Sequence, residues 1–392
     1  MDEHLIKTYK PKADVFTGGS GVYLHDANGR HWMDLIGGLA VSALGHAHPR
    51  LVDALQTQAA ELLHVSNLYR HPLTEAVSEL LTGATGMAGV FFSNSGSEAN
   101  ECALKLARKA QLQRGKPERQ HFVALDGGFH GRTLGSLSVT ANPAYREPFG
   151  KLLESVFIEP ENLDALNTAL SANPAAMILE PIQGEGGLRT LSDDYLRAVR
   201  KACTDSGTIL IHDEVQCGVG RTGTFLAAQS AGVQPDIVTL AKPLGAGLPM
   251  GATLACEELR AVLQPGDHGS TFGGGPMALC SAKVVLEELL QNGLAQRVLE
   301  LGLYLTKRLE QIVATNDCAT EHRGRGLMQG LVLPGIAADI ASALHARGIL
   351  ACTAAGDVLR FLPPYIITES QLDEAMTVLE EILSNSTLPC SL

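Results

Sequence analysis

The chain has 392 residues, of which 45% are hydrophobic and 18% charged, so it can bury a large core and form more than one domain. Its formal net charge of −12, with no lysine/arginine tract, argues against a surface for nucleic acid or anionic membrane. The polar N-terminus and the lack of about 18 consecutive apolar residues anywhere predict a cytoplasmic protein.

Cysteine and histidine positions bear on metal and disulfide chemistry. The eight cysteines are scattered without a C-x-x-C pair, so we expect free thiols and neither a zinc site nor a disulfide framework. His46 and His48 lack carboxylates or thiols beside them in the sequence, and we therefore expect no metal site.

The N-terminal part predicts a small accessory sheet. Residues 21–45 alternate like a hairpin around Asn28 and Gly29, and a helix is expected from Pro49 to Leu63. We assign residues 1–48 to this N-terminal segment. A large domain over residues 49–280 and a small C-terminal domain over residues 281–392 follow.

A strand, a turn of small residues and a helix come next. Residues 89–92 read as the strand, 93–97 as the turn and 98–113 as the helix. This layout presents backbone N–H groups and the positive end of a helix dipole to a phosphate. Ser95, Gly96 and Ser97 are the candidate phosphate-binding residues. Alternatively, Ser97 caps the helix, and both can hold together.

Four further buried strands are predicted at 122–125, 177–179, 209–211 and 237–240. Each strand is followed by residues whose side chains can bind a ligand or take part in a reaction. In chain order they are Phe129 with Arg132, then Glu185, Asp213 and Lys242. Because ligands of open parallel sheets bind outside the carboxyl ends of the strands, these side chains are expected to share one crevice with the phosphate turn.

The pairing of Asp213 with Lys242 suits pyridoxal phosphate, since a lysine forms the Schiff base and an acid binds the pyridinium nitrogen. Phe129 is the proposed stacking partner of the pyridine ring, and Arg132 offers a planar fork to a carboxylate. A surface ion pair is the alternative interpretation of Arg132.

The remainder of the chain predicts a second, smaller unit. Helices are expected near 277–291, 293–314, 336–347 and 370–384, with strands near 327–333, 349–352 and 358–361. The predicted fold class is therefore α/β: a large domain with a mostly parallel central sheet flanked by helices, plus a smaller α+β domain.

Motifs in a fixed order connect these elements to a known family. They are GVYLHDANG, LGHAHP, HVSNLY, FFSNSGSEANE, DGGFHGRT, EPIQGEGG, HDEVQCGVGRTG, LAKPLGAGLPMGA, HGSTFGGGP and LRFLPP. The sequence resembles the class III aminotransferases from about Gly21 to about Pro364. The resemblance implies aminotransferase fold type I, pyridoxal 5'-phosphate as cofactor, and a homodimer with shared active sites.

The resemblance also implies roles for individual residues. Lys242 and Asp213 are the catalytic pair, with Gln216 on the phenolic oxygen and Val215 on the ring face opposite Phe129. Thr271 reaches the cofactor phosphate of the other subunit, and Ser270 joins Arg132 in binding substrate. Glu185 pairs with Arg360 and releases it when glutamate binds. Ser66, Asn67 and Tyr69 lie at the mouth of the site, where they either touch substrate or form a plain loop.

The implied activity moves the terminal amino group of N-acetylornithine to 2-oxoglutarate, which gives N-acetylglutamate 5-semialdehyde and glutamate in arginine biosynthesis. Other substrates remain open within the fold, because one changed group alters binding by only a few kcal/mol. The alternatives are aminotransferases acting on ornithine, succinylornithine, succinyl-diaminopimelate or 4-aminobutyrate. Outside this class, a silent cofactor-binding protein is the competing hypothesis.

Overall fold

A computed structural model describes residues 4–385. Its strands are β1 (Phe16–Ser20), β2 (Tyr23–Asp26), β3 (His31–Asp34), β4 (Gly89–Ser93), β5 (Phe122–Leu125), β6 (Ser155–Ile158), β7 (Ala176–Leu179), β8 (Ile182–Gln183), β9 (Arg189–Thr190), β10 (Ile209–Asp213), β11 (Ile237–Leu240), β12 (Gly251–Ala255), β13 (Glu321–Arg325), β14 (Met328–Val332), β15 (Ile349–Leu350), β16 (Cys352–Ala354) and β17 (Val358–Phe361).

The α-helices are α1 (Gly37–Ala40), α2 (Pro49–Glu61), α3 (Pro72–Thr85), α4 (Gly96–Gln113), α5 (Leu134–Ser138), α6 (Pro143–Arg146), α7 (Leu163–Ser171), α8 (Asp193–Ser206), α9 (Pro276–Leu290), α10 (Leu294–Thr315), α11 (Ala337–Ala346) and α12 (Glu369–Asn385). Short 3-10 helices lie at Glu147–Phe149, Ala227–Ala231 and Lys242–Gly245.

The central sheet has seven strands in the order β4-β12-β11-β10-β7-β5-β6. Only β12 is antiparallel to its neighbours, so β4 and β11 on either side of it run in the same direction. Every residue of β5, β7, β10 and β11 is buried, as expected where helices cover both faces of a parallel sheet. The carboxyl ends of β4, β5, β7, β10 and β11 therefore meet at one edge.

Alternation along β10 shows how the sheet is covered on two sides. Ile209 and Ile211 belong to a core with residues of α4, whereas Leu210 belongs to a core with residues of α7 and α8. Successive strand residues point to opposite faces, which accounts for the division. The predicted mostly parallel sheet flanked by helices is confirmed.

Three other sheets complete the described part of the fold, and the smallest is the antiparallel pair of β8 and β9. β13, β14, β17 and β16 form an antiparallel sheet in that order, and α10 and α11 pack against it. The N-terminal sheet has the order β1-β2-β3-β15, so the predicted hairpin gains a parallel strand, β15, from far along the chain. Among residues 4–385 no helix has the length and apolar character needed to cross a bilayer.

One local expectation needs correction, and one histidine has a partner that its sequence neighbours do not show. Cys318 is disulfide-bonded, so the expectation of free thiols is wrong at this position, whereas six other cysteines are free and Cys390 lies outside the described residues. His46 does have a carboxylate partner, because its Nε2 lies 2.9 Å from Oδ2 of Asp34. Asp34 is far enough from His46 in sequence that the pairing depends on the fold of the N-terminal sheet.

Candidate active site

A cavity of about 330 Å³ opens at the shared strand edge of the central sheet. Its walls come from the turns after β4, β5, β10 and β11. The predicted site residues that line it are Ser95, Gly96, Ser97, Phe129, Asp213, Val215, Gln216 and Lys242. The expected crevice therefore exists, and it brings together an amine, a carboxylate and a helix N-terminus.

Asp213 lies at the end of β10 with its carboxylate held by three donors. Oδ2 accepts a hydrogen bond from Nδ2 of Asn100 at 2.8 Å and lies 2.8 Å from Nδ1 of His130. Oδ1 accepts from the backbone N–H of Val215 at 3.0 Å. A carboxylate has about four acceptor positions, so Oδ1 keeps capacity for one more donor. This geometry suits a carboxylate that binds a protonated ring nitrogen.

Asn100 and His130 were not among the residues predicted from the sequence. Asn100 is buried on α4, where its Oδ1 accepts from the hydroxyl of Thr239 at 2.7 Å and its Nδ2 also donates to the carbonyl of His130. The amide therefore joins α4 to the two strands that carry Asp213 and Thr239. Its signal in the sequence is a polar residue among the mostly small and apolar residues of the buried helix face, which also includes Gln111.

Glu180 is a third residue of the cavity wall that was not predicted from the sequence. Its Oε1 accepts from the backbone N–H of Phe129 at 2.9 Å, and Oε2 accepts from that of Gly184 at 3.3 Å. Burial raises the pKa of Glu180 to about 7, and the charge of Asp213 acts in the same direction. The carboxyl group of Glu180 thus holds both the turn that carries Phe129 and the turn that carries Glu185.

Lys242 follows β11 and is partly buried in the cavity. Burial lowers the pKa of its amine, and the nearby carboxylate of Glu185 opposes this only in part. Its φ of +34° lies in the left-handed region, and Pro243 follows directly. Such a backbone costs about 1–3 kcal/mol for a side-chain-bearing residue and persists where the surroundings fix it, often at functional sites.

The N-terminus of α4 forms another wall. Ser95 is the N-cap and accepts from the backbone N–H of Glu98 at 3.2 Å, so the alternative that Ser97 caps the helix is wrong. The N–H groups of Gly96 and Ser97 lie in the first turn, where a helix offers them no acceptor. A Cβ on Gly96 would come within 2.6 Å of Cγ1 of Val215. The turn therefore packs closely and presents free donors to the cavity.

Glu185 and Arg360 lie beside the cavity and pair with each other. Nη1 of Arg360 donates to Oε1 of Glu185 at 2.6 Å and to Oε1 of Gln216 at 3.2 Å. Burial alone would raise the pKa of Glu185, but the charge and hydrogen bond of Arg360 outweigh it and lower that pKa. The carboxylate is therefore ionised and neutralises an arginine whose side chain is only 2% exposed.

Arg132 differs from Arg360 in having no acidic partner in the described part of the chain. It is exposed beside the cavity, and its backbone N–H donates to Oγ of Ser97 at 3.2 Å. Within residues 4–385 its guanidinium makes no ion pair or hydrogen bond, and it stacks on aromatic rings instead. The group is free to bind a carboxylate.

The loop at 268–276 lies near the cavity without lining it. Oγ of Ser270 accepts from Nδ2 of Asn94 at 3.1 Å, which connects the loop to the turn after β4. Asn67 donates through Nδ2 to the carbonyl groups of Ser270 and Gly273, each at 3.0 Å. Thr271 and Tyr69 are exposed. In the single chain, Ser270, Thr271 and the residues of HVSNLY are therefore outside the cavity wall.

These residues fit pyridoxal phosphate. Oδ1 of Asp213 has room for a ring N–H, and Lys242 supplies a partly buried amine within the same cavity. The first turn of α4 offers free N–H groups to a phosphate. The fold and site therefore define an enzyme of aminotransferase fold type I that depends on this cofactor.

Comparisons with known proteins make the assignment specific. Residues 7–383 match the family described as aminotransferase class-III. The acetylornithine aminotransferase of Methanosarcina mazei is 42% identical over 97% of this chain and 94% of its own length. A solved N-acetylornithine aminotransferase from Stenotrophomonas maltophilia is 35% identical over 95% of this chain and 96% of that one, with a TM-score of 0.84.

A solved ornithine aminotransferase from Toxoplasma gondii is also similar, with a TM-score of 0.93 and 32% identity over 97% of this chain and 92% of that one. The chain belongs to the class III aminotransferase family. It is a pyridoxal-phosphate-dependent aminotransferase.

Proposed function

We propose that this enzyme transfers the terminal amino group of N-acetylornithine to 2-oxoglutarate, giving N-acetylglutamate 5-semialdehyde and glutamate in arginine biosynthesis. The observation that carries the proposal is the contrast between two arginines beside one cavity. Arg360 is neutralised by Glu185, whereas the guanidinium of Arg132 has no acidic partner among residues 4–385. The name of the Methanosarcina mazei relative supports the choice of N-acetylornithine.

Arg132 binds the α-carboxylate of N-acetylornithine in this scheme, with Ser270 nearby as a further substrate contact. The far end of the substrate, which carries the amine, then reaches Lys242. Arg360 stays paired with Glu185 during this half-reaction, so no unpaired buried cation faces the neutral part of the substrate. When 2-oxoglutarate or glutamate binds, Arg360 takes its carboxylate and Glu185 turns away.

Bound pyridoxal phosphate supplies a carbon that takes up the amino group and a protonated ring that accepts electrons from the reacting carbon. Lys242 is the residue that holds the cofactor covalently, and its amine moves the proton once it is released. Asp213 keeps the ring nitrogen protonated through Oδ1. Nε2 of Gln216 donates to the phenolic oxygen, since Oε1 already accepts from Arg360.

The remaining contacts position the cofactor. Gly96 and Ser97 donate backbone N–H groups to the phosphate, with Ser95 at the cap of the same helix. Phe129 and Val215 cover the two faces of the ring. The first turn of α4 would hold the phosphate, and Lys242 would supply the amine that binds the cofactor covalently.

We further propose a cytoplasmic homodimer in which Thr271 reaches the cofactor phosphate of the other subunit. The exposure of Thr271 in the single chain is consistent with a contact made only on assembly. Six free cysteines are typical of a reducing compartment, with Cys318 the exception. We also propose the domain division 1–48, 49–280 and 281–392, which assigns Arg360 to the small domain and Lys242 to the large one.

The absorption spectrum of the holoenzyme tests the proposed reaction. Addition of N-acetylornithine should bleach the visible band of the cofactor, and 2-oxoglutarate should restore it. Steady-state kinetics should show the parallel lines of a ping-pong mechanism. A ternary-complex pattern, or a band that N-acetylornithine leaves unchanged, would show the proposal to be wrong.

Ornithine is the second candidate substrate, favoured by the TM-score of 0.93 to the Toxoplasma gondii structure. The two substrates differ in the α-amino group, which is acetylated and neutral in one and cationic in the other. Comparison of kcat/KM for the two amines decides between them. A value at least tenfold higher for N-acetylornithine is expected, and a higher value for ornithine would reassign the substrate within the same mechanism.

A further inference from the structure

Arg132 lies against an aromatic residue that no motif of the sequence singled out. Its Cζ is 3.6 Å from the ring centroid of Tyr145 and 5.6 Å from that of Phe129. The rings of Phe129 and Tyr145 meet edge to face, with centroids 6.5 Å apart. The guanidinium therefore sits in direct contact with Tyr145, while Phe129 continues the aromatic surface into the cavity.

The backbones on both sides of this contact are fixed. Gly131 precedes Arg132 with a φ of +134°, and a Cβ there would come within 2.4 Å of Oγ of Ser97. Tyr145 lies on α6, whose N-cap Asn142 accepts from the N–H of Ala144 at 3.0 Å. The arginine and the ring thus approach each other from two anchored segments.

The stack limits what the guanidinium can do. A planar guanidinium packed on a ring face keeps its N–H donors in its own plane, where they point away from the ring. Arg132 is exposed and would otherwise sample many rotamers, which costs binding energy each time a substrate orders it. Tyr145 removes much of this freedom without using any of the donors.

We propose that Tyr145 is a positioning residue that sets amine-donor specificity by holding the Arg132 guanidinium ready for the substrate carboxylate. The inference rests on the proposed function in taking N-acetylornithine as the donor. Tyr145 does not touch the reacting atoms. Its effect is therefore on the binding of carboxylated donors, and it leaves the chemical step unchanged.

The test compares two variants with two donors. N-acetylputrescine is N-acetylornithine without its carboxylate, so it cannot use Arg132. Tyr145→Leu should raise the KM for N-acetylornithine roughly five- to thirtyfold, the range of a stacked cation, with kcat within about twofold. The kcat/KM for N-acetylputrescine, followed as single-turnover bleaching of the holoenzyme, should stay within about twofold. Tyr145→Phe keeps the ring and should recover most of the wild-type KM.

Phe157→Leu is the matched control. It removes an equivalent stack, since Cζ of Arg146 lies 4.3 Å from the Phe157 ring centroid, at a place that does not contact the cavity. The KM for N-acetylornithine should not change. Equal losses with both donors in Tyr145→Leu, or a KM unchanged from wild type, would overturn the proposal. A Tyr145→Phe variant as impaired as Tyr145→Leu would assign the effect to the hydroxyl and overturn the stacking role.

Failure of the proposed function gives a different result. If the wild-type enzyme prefers ornithine, the substrate assignment is wrong, and ornithine and its carboxylate-free counterpart putrescine replace the first pair of donors. The same selective loss in Tyr145→Leu would then still support the role of Tyr145. If the selective loss is absent with both pairs of donors, the proposed role of Tyr145 is contradicted.

Discussion

Replacing Glu185 with alanine should change the enzyme's preference between the two proposed amine substrates, glutamate and N-acetylornithine. On the proposed roles of these residues, glutamate must displace the hydrogen bond of 2.6 Å between Glu185 and Arg360 to reach the guanidinium. A hydrogen bond to a charged group contributes about 1.5–3 kcal/mol. Because the Glu185 side chain is 39% exposed, solvent screening favours the lower end of this range.

The free energy converts directly into a specificity ratio. At about 1.4 kcal/mol per factor of ten, Glu185→Ala should raise kcat/KM for glutamate relative to N-acetylornithine by roughly 10- to 100-fold. Part of this change should come from a lower kcat/KM for N-acetylornithine, because its neutral part would face an arginine that has lost its carboxylate partner. Rapid-mixing measurement of the two half-reactions, followed at the cofactor band, gives both constants separately.

The pair of Glu380 with Arg308 provides a control of similar exposure. The Glu380 side chain is 40% exposed and lies 3.3 Å from Arg308 on the surface of the C-terminal helices. Glu380→Ala should leave the ratio within about twofold. If Glu185→Ala also stays within twofold, the pairing of Glu185 with Arg360 does not control substrate exchange, and the reasoning above is refuted.

Three further predictions follow from single residues. Lys242→Ala should abolish turnover while the circular dichroism spectrum stays native, and ordinary activity in this variant would rule out Lys242 as the covalent residue. Gly96→Ala should weaken cofactor affinity at least tenfold, because the new Cβ would lie 2.6 Å from Val215 Cγ1, and cofactor titration of the apoenzyme measures this. Burial and then the charge of Arg200 lower the pKa of His212 to about 3, so the folded state resists a proton that the unfolded chain accepts below about pH 6.5. The free energy of unfolding should therefore fall from pH 6.5 toward pH 3. Between pH 8 and pH 5, the free energy of unfolding of His212→Phe, measured with urea, should fall by about 2 kcal/mol less than that of the wild type.

The sequence could predict those parts of the site that follow from local pattern. Asp213 and Lys242 each come directly after an apolar β-branched run, and such runs form buried parallel strands. Once the strands are parallel, their carboxyl ends must share an edge, so the two side chains converge without knowledge of any side-chain contact. The same reasoning placed Phe129 and the turn at Ser95 on the cavity.

The residues that orient Asp213 could not be predicted in this way. Asn100 lies within a helix and His130 within a loop, and their contacts with Asp213 depend on how α4 crosses the sheet. Glu180 is missed for a similar reason, since its two hydrogen bonds go to backbone groups of separate turns. Long-range packing decides these contacts, and a single sequence carries little information about it.

The predictions of helix starts and strand partners were wrong where the local sequence allows two interpretations equally well. Ser95 and Ser97 are both acceptable cap residues, and only the β-region backbone of Ser95 decides that it begins α4. The strand at 349–350 was expected within the C-terminal α+β unit, yet it pairs with β3 of the N-terminal sheet. Pairing partners so far apart leave no trace in local composition.

The position of Arg360 on β17 places the proposed substrate-binding arginine on a different sheet from the proposed catalytic residues. Lys242 and Asp213 depend on the central sheet, whereas Arg360 belongs to a different sheet and Tyr145 to a one-turn helix outside both. On the proposed roles, substitutions around Arg360 change how glutamate or 2-oxoglutarate binds, and substitutions around Tyr145 change how the carboxylated amine donor binds. Lys242 and Asp213 keep their places in either case. This separation makes the scaffold a practical starting point for new donor specificities, with β17 and α6 as the segments to vary.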